Sequence, residues 1–271
     1  MPEPFDSARN RSFPSQNRGN GRIPASLERL HEHIRRIEGY GGTLAEGNRQ
    51  VLPFGIEEID SHLPGGGLAR GALHEVFAAD KGSADAGIAT AFCALLAGRL
   101  VRQHDADGAA GGILWCERPW TLDAGALYPP ALLPFGIDPA RVILVRARRD
   151  DDTLWAMEEG LRCPYLAAVV GEVGEMSLTA SRRLQLAAGE SGVAALMLRP
   201  RTDRPAPSAA ATRWRLGATA RSGATAGTTA ETTDSAPPGL GAAHWQAEMF
   251  RCRGGAAAPR RMEWDADTGV V

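Results

Sequence analysis

Apolar residues are distributed along this chain in distinct regimes. Residues 1–22 are mostly Ser, Asn, Arg, Pro and Gly with few large apolar side chains. Such a segment cannot bury enough surface to offset the entropy of ordering, so it reads as a flexible tail. Within 23–50 the pattern changes: Leu27, Leu30, Ile34 and Ile37 step by 3, 4 and 3. That spacing draws one apolar stripe along a helix ending at Gly39, followed by a glycine-containing linker. A stripe so narrow suits a seam with a partner helix and equally suits packing on its own domain.

From residue 51 onward, short continuous apolar runs alternate with longer helical patterns. LPFGIEEIDSHLPGGGLARGALHEVF reads as a short helix, a glycine-rich turn and a strand at 72–77. An apolar helix at 84–102 and a strand at 112–116 follow, then a helix-like segment before a strand at 142–145. Helix 152–162, strand 165–170, helix 178–188 and strand 193–198 complete the run. Uninterrupted apolar strands between helices predict an α/β fold with a mostly parallel sheet covered on both faces. This core domain spans 51–220, with RWRLGA as one further strand. Residues 221–241 are low-complexity Ala, Thr, Gly and Pro and read as a linker. Residues 242–271 read as an antiparallel hairpin completing the core at the sheet edge, with Trp245, Ala247 and Met249 opposite Arg260, Met262 and Trp264.

Composition adds a chemical filter. Of 271 residues, 30 are basic and 32 acidic, and the basic set is one lysine, Lys81, against 29 arginines. Any mechanism that needs an ammonium must use Lys81. The formal charge of −2 gives no global case for nucleic-acid binding, so such contact has to be local. The apolar stretch 86–98 is short for a bilayer and no secretory leader is visible, so the expected compartment is the cytoplasm, without a membrane partner. Cys93, Cys116, Cys163 and Cys252 are far apart and read as buried thiols, and no metal or cofactor is expected.

A strand, a glycine-bearing loop and a helix form the setting in which backbone N–H groups cradle phosphates. Gly82 and Gly87 stand at the spacing of a phosphate-binding loop, GSADAG. Where that loop requires Lys and then Ser or Thr, this chain has Ile88 and Ala89. Isoleucine cannot neutralise a terminal phosphate, and alanine cannot hold Mg²⁺. Lys81 lies upstream of Gly82, and Thr90 comes one residue late, about 100° round the helix. Two acids are left as candidates. Glu117 stands after strand ILWC where a water-activating carboxylate would be placed, with a salt-bridged structural role as its alternative. Glu172 follows Gly171 and points to the other face if the strand continues. Together these features predict a degenerate nucleotide loop without ATPase chemistry.

The order of segments resembles the entry to a RecA-type core and, more narrowly, the ImuA family. The runs that carry the closer match are LPFGIE, the lysine-free loop, ILWCERPW, GIDPARVILVRARRDDDTLWAMEEGLRC, LTASRRLQLAAGESGVAALMLRP and the closing RCRGG with MEWD, spread over 51–265. The resemblance implies a RecA-like core and a non-catalytic accessory role in SOS-induced, error-prone translesion DNA synthesis. It implies as partners an ImuB-like Y-family protein and a DnaE-type polymerase, with RecA and single-stranded DNA as further candidates, and association with the nucleoid after damage. A DNA-binding loop is implied after strand 193–198. There, Arg199, Arg201, Arg204, Arg213 and Arg215 surround Trp214, whose alternative is a place in the core. The Leu27, Leu30, Ile34 and Ile37 stripe is the candidate partner helix. The competing expectation is a RecA-family DNA-dependent ATPase, with Lys81 folding back to the phosphates and Glu117 activating water.

Overall fold

The computed structural model describes residues 51–80, 83–108, 110–118, 126–218, 244–255 and 261–265. The chain divides into two units, 1–44 and 45–271, and every described residue belongs to the second. The tail, the stripe of Leu27, Leu30, Ile34 and Ile37, its linker, Lys81, Gly82 and the low-complexity segment all lie outside the described residues.

The described chain begins with a two-stranded antiparallel ladder, β1 (Val51–Leu52) and β2 (Leu68–Ala69), around a one-turn helix, α1 (Glu57–Asp60). Asp60 closes this entry by accepting the Phe54 and Gly55 amides at 2.8 and 2.9 Å. Gly65 and Gly66 have φ near +79° and +76°, the backbone region that glycine occupies without penalty.

The main sheet contains β3 (Leu73–Ala78), β4 (Gly112–Glu117), β5 (Val142–Arg146), β6 (Leu166–Glu172), β7 (Ala194–Arg199), β8 (Thr212–Ala218), β9 (His244–Cys252) and β10 (Arg261–Asp265). Their order across the sheet is β10-β9-β8-β3-β7-β6-β4-β5. Strands β3 to β8 run parallel, whereas β9 and β10 run antiparallel to their neighbours. This is the predicted architecture, a mostly parallel sheet covered on both faces with an antiparallel edge. The hairpin also has the expected register, Trp245 opposite Trp264 and Ala247 opposite Met262.

Helices cover both faces. On one, α2 (Ser83–Ala106) lays Phe92, Cys93, Leu96 and Leu100 against Val76, Trp115, Val170, Leu196 and Trp214. On the other, α3 (Asp150–Leu161) and α4 (Leu178–Ser191) bring Met157, Leu161, Leu184 and Ala188 against Leu73, Leu114, Val169 and Met197. Helix α2 is long and apolar enough to cross a bilayer by length and composition, but its apolar residues form the core of this domain. Ser177 caps α4 by accepting the Ala180 amide at 3.1 Å, and Gly192 ends it in the left-handed region.

Some predicted boundaries shift for identifiable reasons. Helix α3 starts two residues before the expected 152, since Asp150, Asp151 and Asp152 all sit in its first turn, where acids favour the helix dipole. The helix-like segment before β5 is two 3-10 turns, Pro129–Phe135 and Pro139–Arg141. Its prolines lack the N–H that an α-helix would use. Cys93, Cys116 and Cys252 are buried thiols as expected, while Cys163 is only partly covered.

A directed hydrogen-bond chain locks β8 to β3 and β2. The Trp214 indole donates to the Thr212 hydroxyl at 2.7 Å, Thr212 meets His74 Nδ1 at 2.8 Å, and His74 Nε2 meets the Ala69 carbonyl at 2.8 Å. With Nε2 as donor and Nδ1 as acceptor, every group is satisfied only when the ring is neutral. Burial accordingly lowers the His74 imidazole to about 4 from its ordinary 6.5.

Two outcomes follow from this packing. Gly98 carries α2 so close to the first 3-10 turn that an added Cβ would strike the Phe135 carbonyl oxygen, whereas Gly87 has open space around it. Gly98→Ala should therefore destabilise by about 1–3 kcal/mol and Gly87→Ala stabilise by about 0.5–1 kcal/mol, both read from urea unfolding midpoints. Because the folded imidazole is depressed, its contribution is complete above pH 6.5 and is lost as the pH falls toward about 4. The stability gap between wild type and His74→Asn should shrink over that interval by up to about 1.4 kcal/mol per pH unit. A gap independent of pH would show that the ring is not held neutral.

Candidate functional site

In an open α/β sheet, ligands are met beyond the carboxyl ends of the strands. Here those ends belong to β3, β4, β6 and β7, with the amino end of α2 beside them. Ile88 is half-buried and packs against the core, and Ala89 is fully buried. The two positions that decide phosphate and metal binding are thus packing positions. The Thr90 hydroxyl donates to the Ala86 carbonyl at 2.9 Å, inside its own helix. Asp85, in the first turn of α2, turns toward β8 and accepts the Ala218 amide at 2.9 Å. A carboxylate at a helix amino end uses the positive dipole that would otherwise favour phosphate, and it repels a second anion.

The loop leaving β3 is held by an arginine. Arg201 Nε donates to the Ala79 carbonyl at 3.0 Å, and its guanidinium lies 2.6 Å from Asp203 and 3.8 Å from Asp80. Arg201 therefore acts on the loop from the segment that follows β7, with its charge shared between two acids.

The two candidate acids end adjacent strands. Strand β6 continues through Glu172, one residue past the Cys116–Gly171 pairing, so Glu117 and Glu172 are cross-strand neighbours. Both lie on the α2 face. Glu117 is only 1% exposed; it pairs with Arg146 and accepts the Leu127 amide at 2.8 Å. Glu117 is thus salt-bridged in this structure. Glu172 accepts the Arg118 amide at 3.0 Å and the Trp115 indole at 3.4 Å, with no cation bonded to it among the described residues. Burial and the nearby Glu117 charge push its carboxyl up to about 7, against the lowering effect of those two donors. The acids thus grip Arg118 and Leu127, on either side of residues 119–125.

Arg118 extends this arrangement by pairing with Asp150. Asp150 accepts the Gly174 and Glu175 amides, each at 2.9 Å. Partial burial raises its carboxyl, but the amides of Glu175 and Gly174 and the Arg118 guanidinium outweigh that and hold it below the ordinary range. Asp150, Arg118 and Arg146 were not sequence candidates. For Asp150 and Arg146 the one visible signal, a cluster of arginines and acids over 146–152, predicts an ion-pair surface without giving the partners. Burial, and after it the Glu172 charge, lifts the neighbouring Cys116 thiol to about 12, which keeps it protonated. Among the described residues, no cluster of His, Cys, Asp and Glu is arranged to hold a metal.

The arginine-rich segment after β7 differs from its expected role. Trp214 is fully buried, with Phe54 and Phe92 each 5.6 Å from its ring, so it cannot stack on a base. Arg213 is also interior: it donates to Glu75 at 2.6 Å and lies over the Phe77 and Phe250 rings at 5.1 and 5.5 Å. Arg199 lies 3.5 Å from the same carboxylate and donates to the Gly174 carbonyl at 3.1 Å. The cause is that RWRLGA forms the further strand expected of it, Thr212–Ala218 parallel to β3, so its side chains are turned into the two faces of the sheet. Arg215, paired with Glu248 at 3.1 Å, and Arg201 are partly accessible, and Arg204 is exposed.

Removing one member of a fully desolvated pair leaves a buried charge uncompensated, whereas partly exposed pairs contribute little. Glu75→Gln should therefore cost about 3–5 kcal/mol in urea unfolding, against about 1 kcal/mol or less for Glu248→Gln. Equal losses would contradict this division.

No family model matches the chain. A crystal structure of the RadB recombinase aligns with 79% of this chain and 95% of its own, at 16% identity and a TM-score of 0.49. Two curated proteins called Protein ImuA, from Caulobacter vibrioides strains NA1000 / CB15N and ATCC 19089 / CIP 103742 / CB 15, are each 36% identical over 221 residues. The alignment takes in 76% of this chain and 80% of each relative. Identity at that level, sustained over most of both chains, means that this chain belongs to the ImuA family.

Proposed function

We propose that this protein is a non-catalytic, RecA-like accessory factor that supports SOS-induced, error-prone translesion synthesis. Its proposed partners are an ImuB-like Y-family protein and a DnaE-type polymerase, in the cytoplasm and at the nucleoid after damage. Membership of the ImuA family supports the biological setting. The observation that carries the absence of catalysis is local: Ile88 and Ala89 pack where phosphoryl transfer needs an ammonium and a metal-binding hydroxyl. Asp85 adds a negative charge at the helix end, and Glu117 is engaged by Arg146 and the Leu127 amide rather than aimed at a water.

RecA and single-stranded DNA remain proposed further partners. With Trp214, Arg213 and Arg199 inside the fold, a DNA contact from this segment falls to Arg204 and to the accessible parts of Arg201 and Arg215. A contact made mainly by arginines with shared charge is weak and strongly salt-dependent. The Leu27, Leu30, Ile34 and Ile37 stripe is proposed as the partner helix on its sequence pattern alone.

The test is calorimetric titration of the full chain with a non-hydrolysable ATP analogue and Mg²⁺, with and without single-stranded DNA. No heat of binding at millimolar nucleotide is expected from a folded sample. Micromolar binding that disappears in Lys81→Ala would establish the competing DNA-dependent ATPase.

A further inference from the structure

The ends of β4 and β6 place two carboxylates side by side with unequal compensation. Glu117 has a cation, Arg146, and a backbone amide. Glu172 is 6% exposed and, among the described residues, meets only neutral donors, the Trp115 indole and the Arg118 amide. The remaining charged or titratable groups around Glu172 do not remedy this. From α2, Cys93 is a buried thiol whose own proton is held more tightly, burial first and the Glu172 charge second. On β4, Cys116 is similarly raised. The Arg118 guanidinium is turned to Asp150 on α3, and Arg199 from β7 is occupied by Glu75 and Gly174. Two like charges on neighbouring strands inside a protein do not both ionise readily, and the one without a cation takes up the proton.

We propose that Glu117 and Glu172 form a one-proton switch, in which a proton bound by Glu172 removes one of the pair's two negative charges and its loss tightens the hold of β6 on the Trp115 indole and the Arg118 amide. The proton is taken from solvent onto Glu172 Oε1. That oxygen has the longer bond, 3.4 Å from the Trp115 indole, against 3.0 Å for the Arg118 amide on Oε2. Binding converts Oε1 from acceptor to hydroxyl donor, so the indole N–H loses its partner and Arg118 keeps a weaker, neutral one. Release restores both as charge-assisted bonds. The same residue that feels the switch, Arg118, pairs with Asp150, which holds the Gly174–Glu175 turn. The switch therefore acts on the point where β4, β6 and α3 meet. It goes beyond the proposed accessory role and does not depend on it.

The direction of the stability effect is opposite to that of His74. The Glu172 carboxyl sits at about 7, above its ordinary 4.5, so the folded state holds the proton more firmly than the unfolded chain. Its contribution is complete below 4.5 and is lost as the pH rises through about 7.

The experiment is a nuclear magnetic resonance titration of the full chain with ¹³C-labelled glutamate carboxyls and ¹⁵N-labelled tryptophan, from about pH 5 to about pH 9. The Glu172 carboxyl, assigned by loss of its signal in Glu172→Gln, should titrate near neutrality. The Trp115 indole N–H should move with the same midpoint, and in Glu117→Gln that midpoint should fall by about one pH unit, a tenfold change in proton affinity. Where Glu117→Gln does not fold, the matched carboxyl and indole curves of the wild type decide the matter. A Glu172 carboxyl titrating in the ordinary range, or an indole indifferent to it, overturns the proposal. Millimolar Mg²⁺ should leave the midpoint unchanged; a midpoint driven down by the cation would assign the pair to metal binding instead.

Discussion

Two adjacent polar residues on a strand without access to water set the terms for the rest of this fold. Strand β3 lies in the middle of the sheet, and His74 and Glu75 are both fully buried, on opposite faces. A buried imidazole and a buried carboxylate each demand partners. His74 recruits Thr212 on its α2 face, and Glu75 recruits Arg213 and Arg199 on the other. Both sets of partners come from β7 and β8, the strands on either side of β3. The polar groups therefore specify which strands flank β3, while apolar burial supplies the driving force. Phe77, Phe250 and the guanidinium groups stacked on them extend this seam to β9.

That constraint explains why some of the structure was legible in the sequence and some was not. Alternation of apolar strands and helices over 72–198 gave the layers, the strand types and most boundaries to within a few residues. The hairpin register of Trp245 and Ala247 followed from period-2 alternation alone. What the pattern could not give was the partner of each charge. RWR, seen one-dimensionally, is two arginines around an aromatic ring and looks like a DNA contact. In three dimensions its side chains alternate: Arg213 to Glu75 on one face and Trp214 to Phe54 and Phe92 on the other. Glu75 lies 138 residues earlier in the chain, and no local rule connects the two.

The candidate site shows the same division. The missing ammonium and hydroxyl at Ile88 and Ala89 were readable, because a phosphate loop is defined by short spacing. The second half of the story was not. Asp85 reaches β8, Arg201 holds the loop from the segment after β7, and Glu172 and Glu117 anchor Arg118 and Leu127 respectively. Asp85, Arg201, Glu117 and Glu172 act as fastenings among strand ends. The strand ends and the start of α2 are thus tied to one another by side chains of this chain.

The most direct test of this account is phosphate release by the purified full chain, followed with excess Mg²⁺ and ATP in the presence and absence of single-stranded DNA. The account predicts release no faster than in a protein-free blank under either condition. DNA-stimulated turnover that is lost in both Lys81→Ala and Glu117→Gln would contradict it, and would show that the site still performs the chemistry its residues lack on paper.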